Sequence, residues 1–419
     1  MCRVLPAAQC IITRDRPEFA FTIAIKKEKD EGMASKQLTV HAGNHDRNEC
    51  PVWAAADGLD AAASYVARDD ETGAEVPAQI VPGCSGAHLV WVVPALAAGT
   101  SRTYTVQEGS APGGVTVSEG EHGVDVHMNG ALFTTYRYAQ PVVKPYLYPV
   151  IGPTGEGMTR NYPMIPDVPG EKHDHPHHKS IYVSHGEVSG ADVWSEVEGH
   201  GYQRHVEFLP AYGDCGEHVS GPVLGAIRST NNWVGSDEQK VVEDERRFTF
   251  YPLPSSARLI DVEVTFRATA GPAHFGDTKE GGIISLRVAT SMDASDDGRM
   301  ENAIGGIGEA ECWGKRAQWL AYTGPVKGET LGFAVYDHPS SFRHPTYWHA
   351  RNYGLFTANP FGLHDFYANP GVDGSHVLPE GGLLRFKYRI YVHAGDTATA
   401  QVAQRYHDYI TPPEVSVAE

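Results

Sequence analysis

The sequence predicts an all-β protein: a small N-terminal β-sandwich, then a large antiparallel β-sandwich, with one C-terminal helix. Three observations lead there. Apolar and polar residues alternate with period two over many short runs, the signature of strands with one buried face. The chain of 419 residues carries 45 glycines and 28 prolines, a turn-rich count that favours short strands over long helices. Helical periodicity stands out in one segment alone, so the crossover helices of a parallel sheet are missing.

The alternation is clearest over 259–268, where Ile260, Val262, Val264 and Phe266 interleave with Asp261, Glu263, Thr265 and Arg267. It recurs near the end, where Leu384, Phe386, Tyr388, Ile390 and Val392 interleave with polar neighbours. Further strands are expected at 37–41, 88–93, 102–107, 124–128, 181–185, 205–209, 247–251, 283–289 and 330–336. The helix is expected after Asp396 as N-cap, with Val402, Tyr406 and Tyr409 on one face and Pro412-Pro413 as the stop. A Gly/Ser/Pro-rich stretch at 108–120 marks a boundary. The expected organisation is an arm at 1–34, an N-terminal β module at 35–120, a large β-sandwich at 121–411 and a tail at 412–419. Lys26–Gly32 back-translates to purine-rich codons resembling a ribosome-binding site, which points to Met33 as the start of translation.

Composition narrows the function. With 34 basic against 52 acidic residues the net charge is −18, and no basic face is concentrated for a nucleic-acid backbone. No run reaches the roughly 18–20 apolar residues a membrane span requires. Six scattered cysteines without CxxC pairs suit a reduced, cytoplasmic protein. A small-molecule partner remains, and the sequence leaves the oligomeric state open.

Histidine is the anomaly, with 21 copies, eleven of them in two groups. The first reads His173-Asp174-His175-Pro176-His177-His178 ahead of the strand at 181–185, which ends in His185. If extended, His175 and His177 share one face, an arrangement that can present two ligands to zinc, iron or manganese. Equally, these imidazoles suit metal-free proton transfer or loop hydrogen bonds. The second group reads Arg343-His344-Pro345-Thr346-Tyr347-Trp348-His349-Ala350-Arg351. On a strand, Tyr347, His349 and Arg351 share a face: a phenol, an imidazole and a guanidinium suited to an oxygen-rich ligand. The triplet Asp174-His175-Pro176 recurs as Asp337-His338-Pro339, a weak echo of a duplicated sandwich. Phosphate and dinucleotide loops and a Gly-x-Ser-x-Gly elbow are missing.

The segments 147–149 (LYP), 160–164 (RNYPM), 174–194 (DHPHHKSIYVSHGEVSGADVW), 311–317 (ECWGKRA), 337–339 (DHP) and 343–362 (RHPTYWHARNYGLFTANPFG) resemble a bacterial PmoA-like family labelled "methane oxygenase PmoA". Methane oxidation is not what the resemblance implies, because that subunit is a membrane helix bundle. It implies a supersandwich-like fold of the galactose-mutarotase or polysaccharide-lyase type and a place in sugar catabolism. The expectation is a carbohydrate-active lyase, hydrolase or epimerase acting on a sugar or oxidised glycoside. His178, His185 and His349 are expected to carry protons, with Tyr347 as helper and Arg351 holding developing negative charge. Arg160, Trp194, His344 and Asn359 are expected to hold hydroxyls, and His175 and His177 any divalent metal. A non-catalytic sugar-binding scaffold and a His-ligated metal oxygenase are the alternatives.

Overall fold

The strand-forming runs assemble into two large sheets stacked face to face and a third sheet built mainly from the N-terminal strands. A computed structural model describes residues 35–83, 86–213 and 216–418. The expected arm and the Met33 start lie outside the described residues.

The eight-stranded sheet runs, in spatial order, Trp348–Arg351, Leu355–Ala358, Gly281–Arg287, Ile181–His185, Tyr146–Val150, Ala131–Arg137, Gly123–Met128 and Val115–Gly120. All its pairings are antiparallel. The nine-stranded sheet is centred on Lys240–Pro252, Arg258–Arg267 and Leu383–Ala394. These are the runs with the clearest alternation, and register explains why. Ile260, Val262, Val264 and Phe266 pair with Ile390, Tyr388, Phe386 and Leu384, so every apolar residue of one strand meets an apolar residue of the next. That face packs against Ile181, Val183, Ile284, Leu286, Trp348 and Phe356 of the eight-stranded sheet to form the main core. On the reverse face of the nine-stranded sheet, Tyr251, Leu259, Tyr336 and Tyr391 pack with Val402 and Tyr406 of the C-terminal helix.

The N-terminal strands form a seven-stranded sheet with its own core around Leu38, Val40, Val52, Trp91, Val93, Tyr104 and Val106. Residues 412–419, expected as a tail, hold the strand Glu414–Val417, which pairs antiparallel with Lys36–His41. The last residues of the chain therefore complete the sheet begun by its first described strand.

The C-terminal helix spans Val402–Ile410. Asp396 is not its N-cap: its carboxylate accepts the Thr399 N–H at 2.8 Å, closing a separate turn before the helix. Gln401, in the left-handed conformation, takes the N-cap position. Two shorter helices, Gly308–Cys312 and Leu363–Tyr367, lack the length to show a periodicity in sequence.

Candidate functional site

Strand alternation sends every second side chain of the eight-stranded sheet away from the core. Register then lines up His349, Thr357, Ser285, Tyr182 and Tyr146 as one row across five adjacent strands. Arg351, Leu355 and Arg287 form the neighbouring row. The row is tightly made: the Ser285 and Thr357 hydroxyls bond at 2.8 Å, and a Cβ on Gly282 would collide with the Thr357 hydroxyl.

The histidine-rich loop lies over this face and is anchored by a buried guanidinium. Arg160 donates to the carbonyls of Tyr162 (3.1 Å), Lys172 (3.3 Å) and His175 (2.9 Å) and to the Asp174 carboxylate. Arg287 reaches up from the sheet to the same carboxylate at 2.8 Å. Burial pushes the Asp174 carboxyl up, but Arg287 and Arg160 outweigh this and hold it below the ordinary aspartate value. The loop is not extended. His175 has φ 42°, and the His178 N–H closes a turn onto the His175 carbonyl at 3.0 Å. That turn overturns the expected pairing of faces: His175 stacks on His178, centroids 4.8 Å apart, and His177 meets both edge-on.

The two histidine groups converge through Tyr353. Its ring stacks on His175 at 4.8 Å and on His178 at 6.3 Å, and Arg287 and Arg351 lie over it at 5.0 and 5.6 Å. Glu280 is the second link. Burial raises its pKa, but a hydrogen bond from Lys279 and the charges of His349, Lys279 and His177 outweigh burial and keep the carboxylate ionised. One acid thus feels imidazoles from both groups. The rim of the site (His175, His177, Glu280, Arg351, Tyr353) is half-buried, while the floor (His178, His349, Tyr182, Trp194) is buried.

Hydrogen bonding fixes opposite polarities on the two floor histidines. Nδ1 of His349 faces the Lys279 carbonyl, which can only accept, so Nδ1 carries the proton and Nε2 the lone pair. Nδ1 of His178 lies 3.2 Å from Nη1 of Arg287, which can only donate, so Nδ1 accepts and Nε2 carries the proton. Burial, with the nearby His177 and Arg287 charges, pushes His178 well below the ordinary histidine value. Burial likewise lowers His349, partly offset by the Lys279 bond and Glu280. His177 falls to about 4 through burial and the charges of Lys144 and His175. The same sheet face therefore carries an imidazole acceptor and an imidazole donor, linked through Glu280 and Tyr353, with a guanidinium at the rim.

Several expected site residues serve other ends. His185 points into the sandwich core between Phe361 and Phe275, donates through Nε2 to the Gly276 carbonyl at 2.9 Å, and falls to about 4 by burial; it is a core histidine. Arg160 spends its guanidinium on the loop rather than on a ligand. Asn359 does the same with its amide, donating to Thr278 (2.9 Å) and accepting from Phe361 N–H (2.9 Å). Its second bond, to the Lys279 carbonyl at 3.2 Å, makes it a positioning residue for His349. Trp194 is fully buried beneath His177, His178 and Tyr182, so its faces are packing surfaces, not a sugar platform. Tyr347 bonds Tyr367 at 2.8 Å and lies near Arg316, which takes it out of the histidine group. His344 pairs with Asp337 at 2.9 Å, apart from the basin. Arg351 stays at the rim, 3.3 Å from Glu309. Among the described residues no three His, Cys, Asp or Glu side chains are grouped as a metal ion requires, so the His175–His177 metal pair gains no support.

Sequence reading missed Glu280, Arg287 and Lys144. Lys144 is buried and held 2.6 Å from Glu196, which also binds Lys179 at 2.6 Å. Burial draws the Lys144 ammonium down to about 8, with Glu196 opposing. A signal for Glu280 existed: it precedes Gly281-Gly282, and paired glycines at a strand start mark a close backbone approach. Arg287, a lone charge at a strand end, and Lys144, in the bend before Tyr146–Val150, gave none.

Two solved structures are similar to this chain. One is an alpha-mannosidase from Enterococcus faecalis V583, with 9% identity and a TM-score of 0.41, covering 92% of this chain and 46% of that one. The other is a glycosyl hydrolase family 38 protein from Enterococcus faecalis, with 9% identity and a TM-score of 0.39, covering 92% and 47%. The chain spans about half the length of each. No curated protein matches it. A family model described as "Family of unknown function (DUF6807)" matches residues 123–407, which take in both histidine groups and every strand of the site. The chain belongs to the DUF6807 family.

Proposed function

We propose that this protein is a cytoplasmic carbohydrate-active enzyme that moves protons at a sugar carbon or glycosidic oxygen without a metal. The observation that carries the reading is the fixed, opposite polarity of two buried imidazoles. Nε2 of His349 accepts a proton, while the Nε2–H of His178 donates a hydrogen bond to the oxygen on which charge develops. Because Arg287 occupies Nδ1 of His178, that ring stays neutral and serves as a polarising donor, not as a base. Arg351 at the rim balances negative charge, and the half-buried Tyr353 ring, stacked on His175, holds the two histidine groups together. Lyase and epimerase chemistry both begin with such a step, the transfer of a C–H proton to the base beside a polarised oxygen; in a hydrolase the same base would take its proton from the attacking water. The PmoA-like resemblance adds a sugar-catabolic setting and no oxygenase chemistry. None of the described helices is long and apolar enough to cross a membrane.

The test is turnover of a panel of glycosides, uronides and keto-glycosides, followed by mass spectrometry. The expected result is one converted class, with kcat about a hundredfold lower or worse in His349→Ala. Full turnover in that variant, or binding without product over hours, would overturn the reading; the second outcome favours a sugar-binding scaffold.

A further inference from the structure

A second concave region lies on the far side of the sandwich. The nine-stranded sheet turns its outer face toward the seven-stranded sheet, and where the two part there is a cleft of about 490 Å³. That volume is within the roughly 300–1,000 Å³ of small-molecule sites, which favour such junctions. Its floor is set by register. Arg228, Arg247 and Glu263 stand opposite one another on successive strands, and Thr249 stands opposite Asp261. These residues alternate with the core-facing Ile227, Phe248 and Val262, so the cleft opens away from the histidine basin. Its wall is aromatic: Trp53 from the seven-stranded sheet lies 5.9 Å from Tyr212 and 6.3 Å from His88.

The charges on the floor cancel in pairs. Arg247 bonds Glu263 at 2.6 Å, Arg228 bonds Glu245 at 2.9 Å, and Arg389 holds Asp261 through two bonds of 2.6 and 2.8 Å. A phosphate or carboxylate ligand would need a surplus cation, and a hydrophobic segment would need an apolar floor. A neutral sugar needs neither. Its C–H face stacks on an aromatic ring, and its hydroxyls bridge planar guanidinium and carboxylate groups. We propose that this cleft is a binding site for a neutral saccharide, separate from the catalytic basin, with Trp53 as the stacking platform and the Arg247–Glu263 pair as the hydroxyl anchor.

Calorimetry on the full chain with cellotriose, maltotriose, xylotriose and mannotriose tests this. At least one trisaccharide is expected to bind with Kd of about 1 mM or tighter. Trp53→Ala and Arg247→Gln should each weaken that binding by about tenfold, and Trp53→Tyr should retain most of it. His349→Ala should leave it unchanged. Absence of binding across the panel, binding that Trp53→Ala leaves intact, or loss in His349→Ala instead would each overturn the proposal. Because the cleft and the basin are mutated separately, failure here leaves the catalytic reading standing.

Discussion

The triplet Asp-His-Pro occurs twice, and the two copies meet opposite fates. At 174 the carboxylate is clamped between Arg160 and Arg287, two guanidiniums that are themselves fully buried. Its histidine turns outward into the basin and stacks on Tyr353. At 337 the carboxylate ends a strand in the interior, bonded to His344 and the Thr346 N–H, both at 2.9 Å. Burial raises the Asp337 carboxyl, and the bonds from His344 and Thr346 only partly oppose it. Its histidine packs against Tyr409 at 5.1 Å. Identical residues thus build the rim of the candidate site in one place and a structural joint in the other. The difference lies in the counter-charges: two permanent cations hold Asp174 ionised, while one titratable imidazole leaves Asp337 biased toward its neutral form.

Removing each carboxylate sharpens that contrast. Asp174→Ala strips the counter-ion from two buried guanidiniums and should cost about 3 kcal/mol, read as a lower midpoint in urea unfolding. Asp337→Asn keeps an acceptor for His344 and should cost about 1 kcal/mol. Equal losses would erase the distinction between the copies.

Acid titration separates them further. His177, His185 and His393 are each drawn from 6.5 to about 4 by burial. Between pH 6.5 and 4 the unfolded chain therefore takes up protons that the folded chain refuses, and stability falls as the pH drops through that window. A fully buried imidazole such as His185 contributes up to about 3 kcal/mol of this loss. Asp174, lowered in the fold, adds its own loss below 3.8; Asp337, raised, works in the opposite direction just above 3.8, where the folded chain takes up its proton before the unfolded one. His185→Gln, which retains an amide donor for the Gly276 carbonyl, should flatten the slope between pH 6.5 and 4 and leave turnover intact. An unchanged slope with lost activity would return His185 to the site.

The same contrast explains what could be seen in advance. The strands at 258–267 and 383–394 were legible because each apolar residue pairs with another across the ladder, so the pattern and the packing are one fact. The histidine groups were legible because imidazole is a rare core filler. The assignment of faces failed at His175, whose left-handed φ no neighbouring residue announces. Arg160 and Asn359, expected as ligand contacts, bond mainly to the backbone, which every residue has, so no sequence pattern announces those partners. Glu280 and Arg287 are single charged residues whose importance comes from what lies across the sheet.

Tyr347 provides the finest discrimination. It precedes the strand that carries His349 and by alternation shares its face, so sequence alone makes it a helper in proton transfer. In the fold its hydroxyl lies 2.8 Å from that of Tyr367, and burial with that partner pushes the phenol up to about 12. A phenol held so far above neutrality and occupied by a second phenol is a poor acid at pH 7. Tyr347→Phe should therefore cost no more than about 1 kcal/mol, the worth of one hydroxyl bond, and leave kcat within about twofold of the parent. A hundredfold loss in kcat would extend the site from the histidine basin to the helix Leu363–Tyr367 and would make the second histidine group, not the first, its centre.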